Sequence, residues 1–255
     1  MRLVVKVGTS TLAYANGRLN IRLVERLCKV LSDIKNSGVE VLLVTSGAIG
    51  MGVGKLMLPA RPKDLPTKQA CAAVGQSELM YVYDKLFSEH HHVVGQVLLT
   101  GNDVEDPQRC KNVETTLLRL LELGALPVIN ENDTVGTDEI EIGDNDTLSA
   151  IVARLVKADM LVLLSDVDGL YDKDPHKHAD AKRIAVVKGI TTEIEALAGS
   201  AGSSLGTGGM ETKIKAAKMA NQAGIEMAIA HGETPEVLYA ILEGEAPCTR
   251  FVAEE

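Results

Sequence analysis

At 255 residues the chain is long enough for one large α/β domain, which would bury roughly 70–75% of its unfolded surface. Its content of 45% hydrophobic and 24% charged residues is that of a globular protein and excludes a disordered chain. A net charge of −9, no Trp and 3% aromatics give a surface that repels phosphate backbones and offers few stacking platforms, so nucleic acid is not expected as a partner.

The N-terminal apolar run is too short for a signal peptide, and no later stretch reaches the length of a membrane-spanning helix. A cytoplasmic protein with no membrane partner is expected. Cys28, Cys71, Cys110 and Cys248 form no Cys-x-x-Cys pair and read as reduced thiols. Any anionic ligand must be held by local positive charge or backbone N–H groups, because the overall field opposes it.

In chain order, Leu3 to Val7 reads as a buried strand that leaves the sheet through Gly8-Thr9-Ser10. A helix follows: Asn20 caps it, Val24, Leu27, Cys28, Leu31 and Ile34 share one face, and Gly38 ends it. Val41 to Val44 is a second buried strand, so residues 3–44 form a parallel βαβ unit. The rhythm continues with a helix near 68–87, a strand at 93–99, a helix near 112–123 and a strand at 126–129. Asp138 to Ile142 alternates polar and apolar, as a solvent-facing hairpin arm would. Helices near 147–156, 211–223 and 235–243 and strands at 160–164 and 225–230 complete the pattern. With no repeat and no low-complexity linker, the expectation is one domain over 1–255: an α/β three-layer αβα sandwich with a mostly parallel sheet. Ligands should bind beyond the carboxyl ends of its strands.

The informative residues fall there. Lys6 lies in an apolar strand, where an ammonium is costly unless an anion or carboxylate meets it; taken alone it reads equally well as a strand-end lysine reaching solvent. Gly8-Thr9-Ser10, and Thr45 to Gly52 after the second strand, let backbone N–H groups approach an anion closely. The second could also be only a tight strand-to-helix turn. Gly202 to Met210 is glycine-rich and leads into a helix with Lys213 in its first turn, joining donors, helix dipole and cation. It departs from a Walker A loop, since Thr212 precedes the lysine and Ile214 follows it. An acidic cluster, Asn130-Glu131-Asn132-Asp133 with Gly143-Asp144-Asn145-Asp146, suits an amino group or a lysine that needs orienting. Capping of the next helix by Asp146 competes as the explanation of one carboxylate. Ser165 to Tyr171 places its glycine too early for a calcium loop, and His90-His91-His92 reads as an exposed helix end rather than a metal site.

Together, several segments resemble the glutamate 5-kinase family of the amino acid kinase superfamily. They are Lys6 to Ser10, Thr45 to Gly50, Gln69 to Gln76, Asn130 to Val135, Gly143 to Asp146 and Gly206 to Lys213. The resemblance implies the amino acid kinase fold and ATP-dependent phosphorylation of the γ-carboxylate of L-glutamate to L-glutamyl 5-phosphate and ADP, the first step of proline biosynthesis. It implies that Lys6 and Lys213 contact ATP phosphates and that Asp146 orients both. Gly8, Ser165, Asp166 and the run Thr207, Gly208, Gly209, Met210, Glu211, Thr212 and Lys213 would hold the nucleotide. Ser46, Asp133 and Asn145 would contact glutamate, with Asp144 joining them. Mg²⁺ would be held mainly by ATP phosphates. The family also implies proline feedback inhibition, a homo-oligomer and functional coupling to glutamyl phosphate reductase. Many members carry a C-terminal PUA domain, whereas this sequence ends at Glu255, and it has Ser165 where Thr is common.

A γ-carboxylate with an ordinary pKa of about 4.3 is already ionised near neutral pH, so no general base is needed. The competing readings are another superfamily kinase such as acetylglutamate kinase, which the acidic cluster disfavours, and a non-catalytic amino-acid sensor, which both lysines disfavour.

Overall fold

The first strand sets the architecture. In β1 (Arg2–Val7) Leu3, Val4, Val5 and Val7 are all fully buried, as expected only of a central strand covered on both faces. In the computed structural model, which describes residues 1–14, 18–136, 144–175, 177–178, 180–199 and 209–252, β1 lies between two parallel neighbours. After it come α1 (Thr9–Leu12), α2 (Ile21–Asn36), β2 (Glu40–Val44), α3 (Ala48–Lys55), α4 (Leu65–Ser88) and β3 (Val94–Leu99). Then follow α5 (Gly101–Glu105), α6 (Pro107–Glu122), β4 (Leu126–Glu131), α7 (Asn145–Leu155) and β5 (Met160–Ser165). The chain closes with β6 (Val186–Lys188), α8 (Thr192–Gly199), α9 (Met210–Gln222), β7 (Glu226–His231), α10 (Val237–Glu243) and β8 (Thr249–Val252).

Among the described residues eight strands are ordered β3-β4-β2-β1-β5-β7-β8-β6, all neighbours pairing parallel except β7 with β8. Alternate residues of each central strand feed opposite cores. Val4, Leu42, Ile129, Leu161 and Met227 pack with α7 and α9 on one face; Leu3, Val5, Leu43, Val128 and Val162 pack with α2, α4 and α10 on the other. Each such aliphatic side chain contributes about 1.5–3 kcal/mol by leaving water. The three-layer sandwich expected from the alternation of strands and helices is the observed architecture. Among the described residues no helix is long and apolar enough to cross a membrane.

Local chemistry explains the helix ends. Asn20 caps α2 by accepting from the Leu23 N–H, as expected. The helices expected near 68 and 112 begin earlier, at Leu65 and Pro107, because Asp64 and Asp106 cap them and a proline sits in each first turn. The edge strand β6 and its neighbour β8 were not anticipated; they are too short to show a period. The alternating segment 138–142 lies outside the described residues.

One packing contact brings α3 and α4 together beneath the strand ends. A Cβ on Gly75 would stand 1.8 Å from the carbonyl oxygen of Ala48, and one on Gly52 would stand 1.9 Å from that of Cys71. Only hydrogen fits at either position, so the two helices touch backbone to backbone.

Candidate active site

The strand order reverses at β1, which has β2 on one side and β5 on the other. A crevice at such a switch point is where open α/β sheets bind ligands. A cleft of about 240 Å³ opens here beyond the carboxyl ends of β1, β2, β4 and β5.

At its floor, two lysines from opposite ends of the chain share one carboxylate. Lys6 Nζ lies 2.6 Å from Asp146 Oδ1, and Lys213 Nζ lies 3.2 Å from Asp146 Oδ2. The Thr212 hydroxyl donates to the same Oδ2 at 2.9 Å. The Asp146 side chain is 1% exposed and the two lysines 11% and 6%. Burial alone would push the Asp146 carboxyl up, but the two ammonium charges and the Thr212 hydroxyl outweigh it and hold the group below the ordinary aspartate value. Among the described residues the two lysines share this single carboxylate, in a place where charge is poorly hydrated. The cluster is thereby suited to receive an anion.

The segment before α7 divides its work among three neighbours. Asp144 is the cap of α7, and both its oxygens are engaged by Thr147, at 2.8 Å through the backbone N–H and 3.0 Å through the hydroxyl. Capping by Asp146 is therefore not the arrangement adopted. A cap lies outside the first turn, and Asp146, inside it, is free to face the lysines.

Asn145 turns toward β2. Its Nδ2 lies within hydrogen-bond reach of three acceptors that share its two protons: the Thr45 carbonyl at 2.6 Å, the Ser46 hydroxyl at 2.8 Å and Asn130 Oδ1 at 2.9 Å. Asn130 in turn donates to Gln76 Oε1 at 2.9 Å. The Thr45 hydroxyl meets the buried Tyr83 hydroxyl at 2.7 Å, anchoring the end of β2 to α4. Gly47 takes φ +95°, a left-handed turn that swings the chain from Ser46 into α3.

Of the other residues singled out in the sequence, Gly8, Asp133, Ser165 and Asp166 line the same cleft. Ser165 donates to Asp166 at 2.9 Å. Gly209 caps α9, Met210 packs against the core and Glu211 is exposed. Among the described residues of that run, only Lys213 lines the cleft. Thr207 and Gly208 lie outside the described residues. Asp168, in the segment that mimics a calcium loop, pairs with Arg183 at 2.6 Å and accepts from Tyr171.

Two cleft cations were missed in the sequence: Arg61, in the segment joining α3 to α4, and Lys68, on α4. Among the described residues neither forms a salt bridge, unlike Lys6 and Lys213, although the charge of Lys68 acts on Asp64. The neighbouring Gln69 donates to the Gly136 carbonyl at 3.0 Å, drawing the start of α4 toward the turn that carries Asp133.

The fold has counterparts among known proteins. The sequence profile described as the amino acid kinase family matches residues 1–231. The chain belongs to the amino acid kinase family. Glutamate 5-kinases are among its curated relatives. That of Clostridium perfringens (strain 13 / Type A) is 54% identical over 258 residues, with 100% of this chain and 96% of the relative covered. That of Thermoanaerobacter sp. (strain X514) is 53% identical over 252 residues, with 99% of this chain and 68% of the relative covered. Among solved structures, carbamate kinase from Giardia lamblia bound to AMP-PNP superposes with a TM-score of 0.72 at 17% identity, covering 99% of this chain and 98% of that one. The isopentenyl phosphate kinase of T. acidophilum, in a product complex, gives 0.66 at 21% identity, covering 98% and 100%. At such identities these structures speak for the fold alone.

Proposed function

We propose that the cleft transfers the γ-phosphoryl group of ATP to the γ-carboxylate of L-glutamate, giving L-glutamyl 5-phosphate and ADP, the first step of proline biosynthesis from glutamate. The observation that carries this reading is the 54% identity to a glutamate 5-kinase along the whole chain. The convergence of Lys6 and Lys213 on Asp146 supplies the chemistry it needs.

The acceptor carboxylate is ionised near neutral pH, so the task is to align two anions and offset the charge spread over the transferred group. Lys6 and Lys213 would face that group, held in place by Asp146 before reaction begins, which is what makes electrostatic stabilisation effective. Ser46, Asp133 and Asn145 would hold glutamate, and Asp144 would serve by fixing the turn that carries Asn145. Gly8, Ser165, Asp166 and the run from Thr207 to Lys213 would hold the nucleotide.

Magnesium fits as a companion of the nucleotide. Asp144 is engaged by Thr147 and Asp146 by the lysines, and among the described residues no three His, Cys, Asp or Glu side chains gather as a ligand set. A dication would thus be held mainly by phosphate oxygens and water, as Mg²⁺ commonly is, and when bound it neutralises phosphate charge. By the same likeness, proline would act as a feedback inhibitor of a cytoplasmic homo-oligomer, and glutamyl phosphate reductase would consume the acyl phosphate.

The test is ADP release from Mg-ATP with L-glutamate, N-acetyl-L-glutamate or no acceptor. Release that depends on glutamate is expected. A preference for the acetylated substrate would assign the chain to acetylglutamate kinase chemistry, and no acceptor-dependent release would leave a sensor.

A further inference from the structure

The polarity of the amide chain behind the cleft is fixed by backbone groups. Glu131 donates its N–H to Asn130 Oδ1 at 2.9 Å, so the other end of that amide is its NH₂, which donates to Gln76 Oε1 at 2.9 Å. At the cleft end Asn145 faces the Thr45 carbonyl at 2.6 Å, and a carbonyl only accepts. The Asn145 NH₂ therefore points inward, where it also reaches Asn130 and Ser46. An amide nitrogen has no lone pair to offer, so the Ser46 hydroxyl proton is left for a partner in the cleft that Ser46 lines. Asn145 Oδ1 is a buried acceptor that meets no donor among the described residues. Ser46 thus offers a hydroxyl donor at the cleft wall, which suits a carboxylate, and the Asn145 carbonyl stands enclosed behind it.

Gln76 closes the far end of this chain. It is 6% exposed, Asn130 is 1% exposed, and Gln76 does not line the cleft. Its Nε2 is buried without an acceptor. A half-satisfied buried amide is costly, and packing alone would be served better by an apolar side chain.

We propose that Gln76 is a positioning residue for amino-acid recognition: it holds Asn130, Asn130 holds Asn145, and the chain gives the cleft wall the polarity that reads a free amino acid. This rests on the reading of the cleft as a glutamate kinase site. The test compares steady-state kinetics of the full chain with Gln76→Met, of similar length but lacking a strong acceptor, and Gln76→Glu, which keeps one. Gln76→Met is expected to raise the KM for glutamate about tenfold while the KM for ATP and kcat stay within about twofold, and Gln76→Glu to recover most of the loss. An unchanged glutamate KM in Gln76→Met, an equal rise in both KM values, or a Gln76→Glu variant as impaired as Gln76→Met would overturn the proposal.

If Gln76→Met does not fold, Asn130→Asp takes its place, since it keeps the acceptor facing Glu131 and Asn145 but removes the donor to Gln76. The same selective rise is expected, and an unchanged glutamate KM overturns the role. Loss of folding in both variants assigns Gln76 to stability alone and also overturns it. Wild-type turnover of glutamate in the same assay separates the two levels, because its failure sinks the kinase reading and not merely the role of Gln76.

Discussion

The ammonium of Lys6 lies 2.6 Å from the carboxylate of Asp146, and that carboxylate is only 1% exposed. An ion pair so enclosed gains little net stability over apolar packing, so its retention points to work done on a ligand. Because Lys213 takes the other oxygen, the two cations are held close together without either being neutralised alone.

Single Lys6→Ala and Lys213→Ala variants should therefore lower kcat more than they raise either KM, by about 10²–10³, the usual effect of losing one preorganised transition-state contact. As both serve one charged unit, the double variant should be less impaired than the product of the singles. Stopped-time ADP assays on variants with wild-type thermal stability decide this. Multiplying effects would mean that the lysines act independently.

Asp146→Asn should destabilise the fold by about 3–5 kcal/mol near neutral pH, since it removes the carboxylate that two enclosed ammonium groups share. The sign of the pH dependence follows from the lowered folded-state pKa. The contribution is fully present above the ordinary aspartate value of 3.8 and is lost as pH falls through the lower folded value. Urea midpoints of wild type and variant should accordingly differ most near neutrality and draw together in acid. A gap that widened in acid would contradict this.

Arg61→Ala and Lys68→Ala should each raise the KM for glutamate severalfold with little change in kcat. These cations line the cleft and form no salt bridge among the described residues, on a chain of net charge −9. They would offset a field that repels anions. The effect should shrink at high salt, where the Debye length falls to about 3 Å. KM values at two ionic strengths check this, and a salt-independent effect would speak for a direct contact instead.

Gly75→Ala should be among the most damaging single-methyl changes in the chain, because the new Cβ would lie 1.8 Å from a backbone oxygen of α3. Forcing the helices apart should cost at least about 1–3 kcal/mol. It should also displace Ala48 and the Ser46 turn before it. Denaturant melts and the KM for glutamate should therefore move together, whereas a wild-type melt would refute the close contact.

Much of the fold was legible because β1, β2, β4, β5 and β7 are buried on both faces and so appear as unbroken apolar runs. The short strand β8 was not, since only Thr249 and Phe251 of its four residues are buried. The two lysines and Asp146 stood out as charges beside apolar or glycine-rich segments. Which carboxylate capped α7 did not, because Asp144 and Asp146 are both plausible caps in sequence and only the backbone path separates them. Gln76 and Arg61 gave no chemical signal of their own. One looks like a polar residue on a long helix and the other like part of a solvated loop, and only tertiary packing brings them to Asn130 and to the cleft.

The most direct measurement of the central claim is to incubate the protein with Mg-ATP, L-glutamate and hydroxylamine and to identify the trapped product. Phosphorylation of the side-chain carboxylate predicts γ-glutamyl hydroxamate formed in step with ADP and absent without glutamate. ADP formed with no hydroxamate, or a hydroxamate obtained only from N-acetyl-L-glutamate, would contradict it.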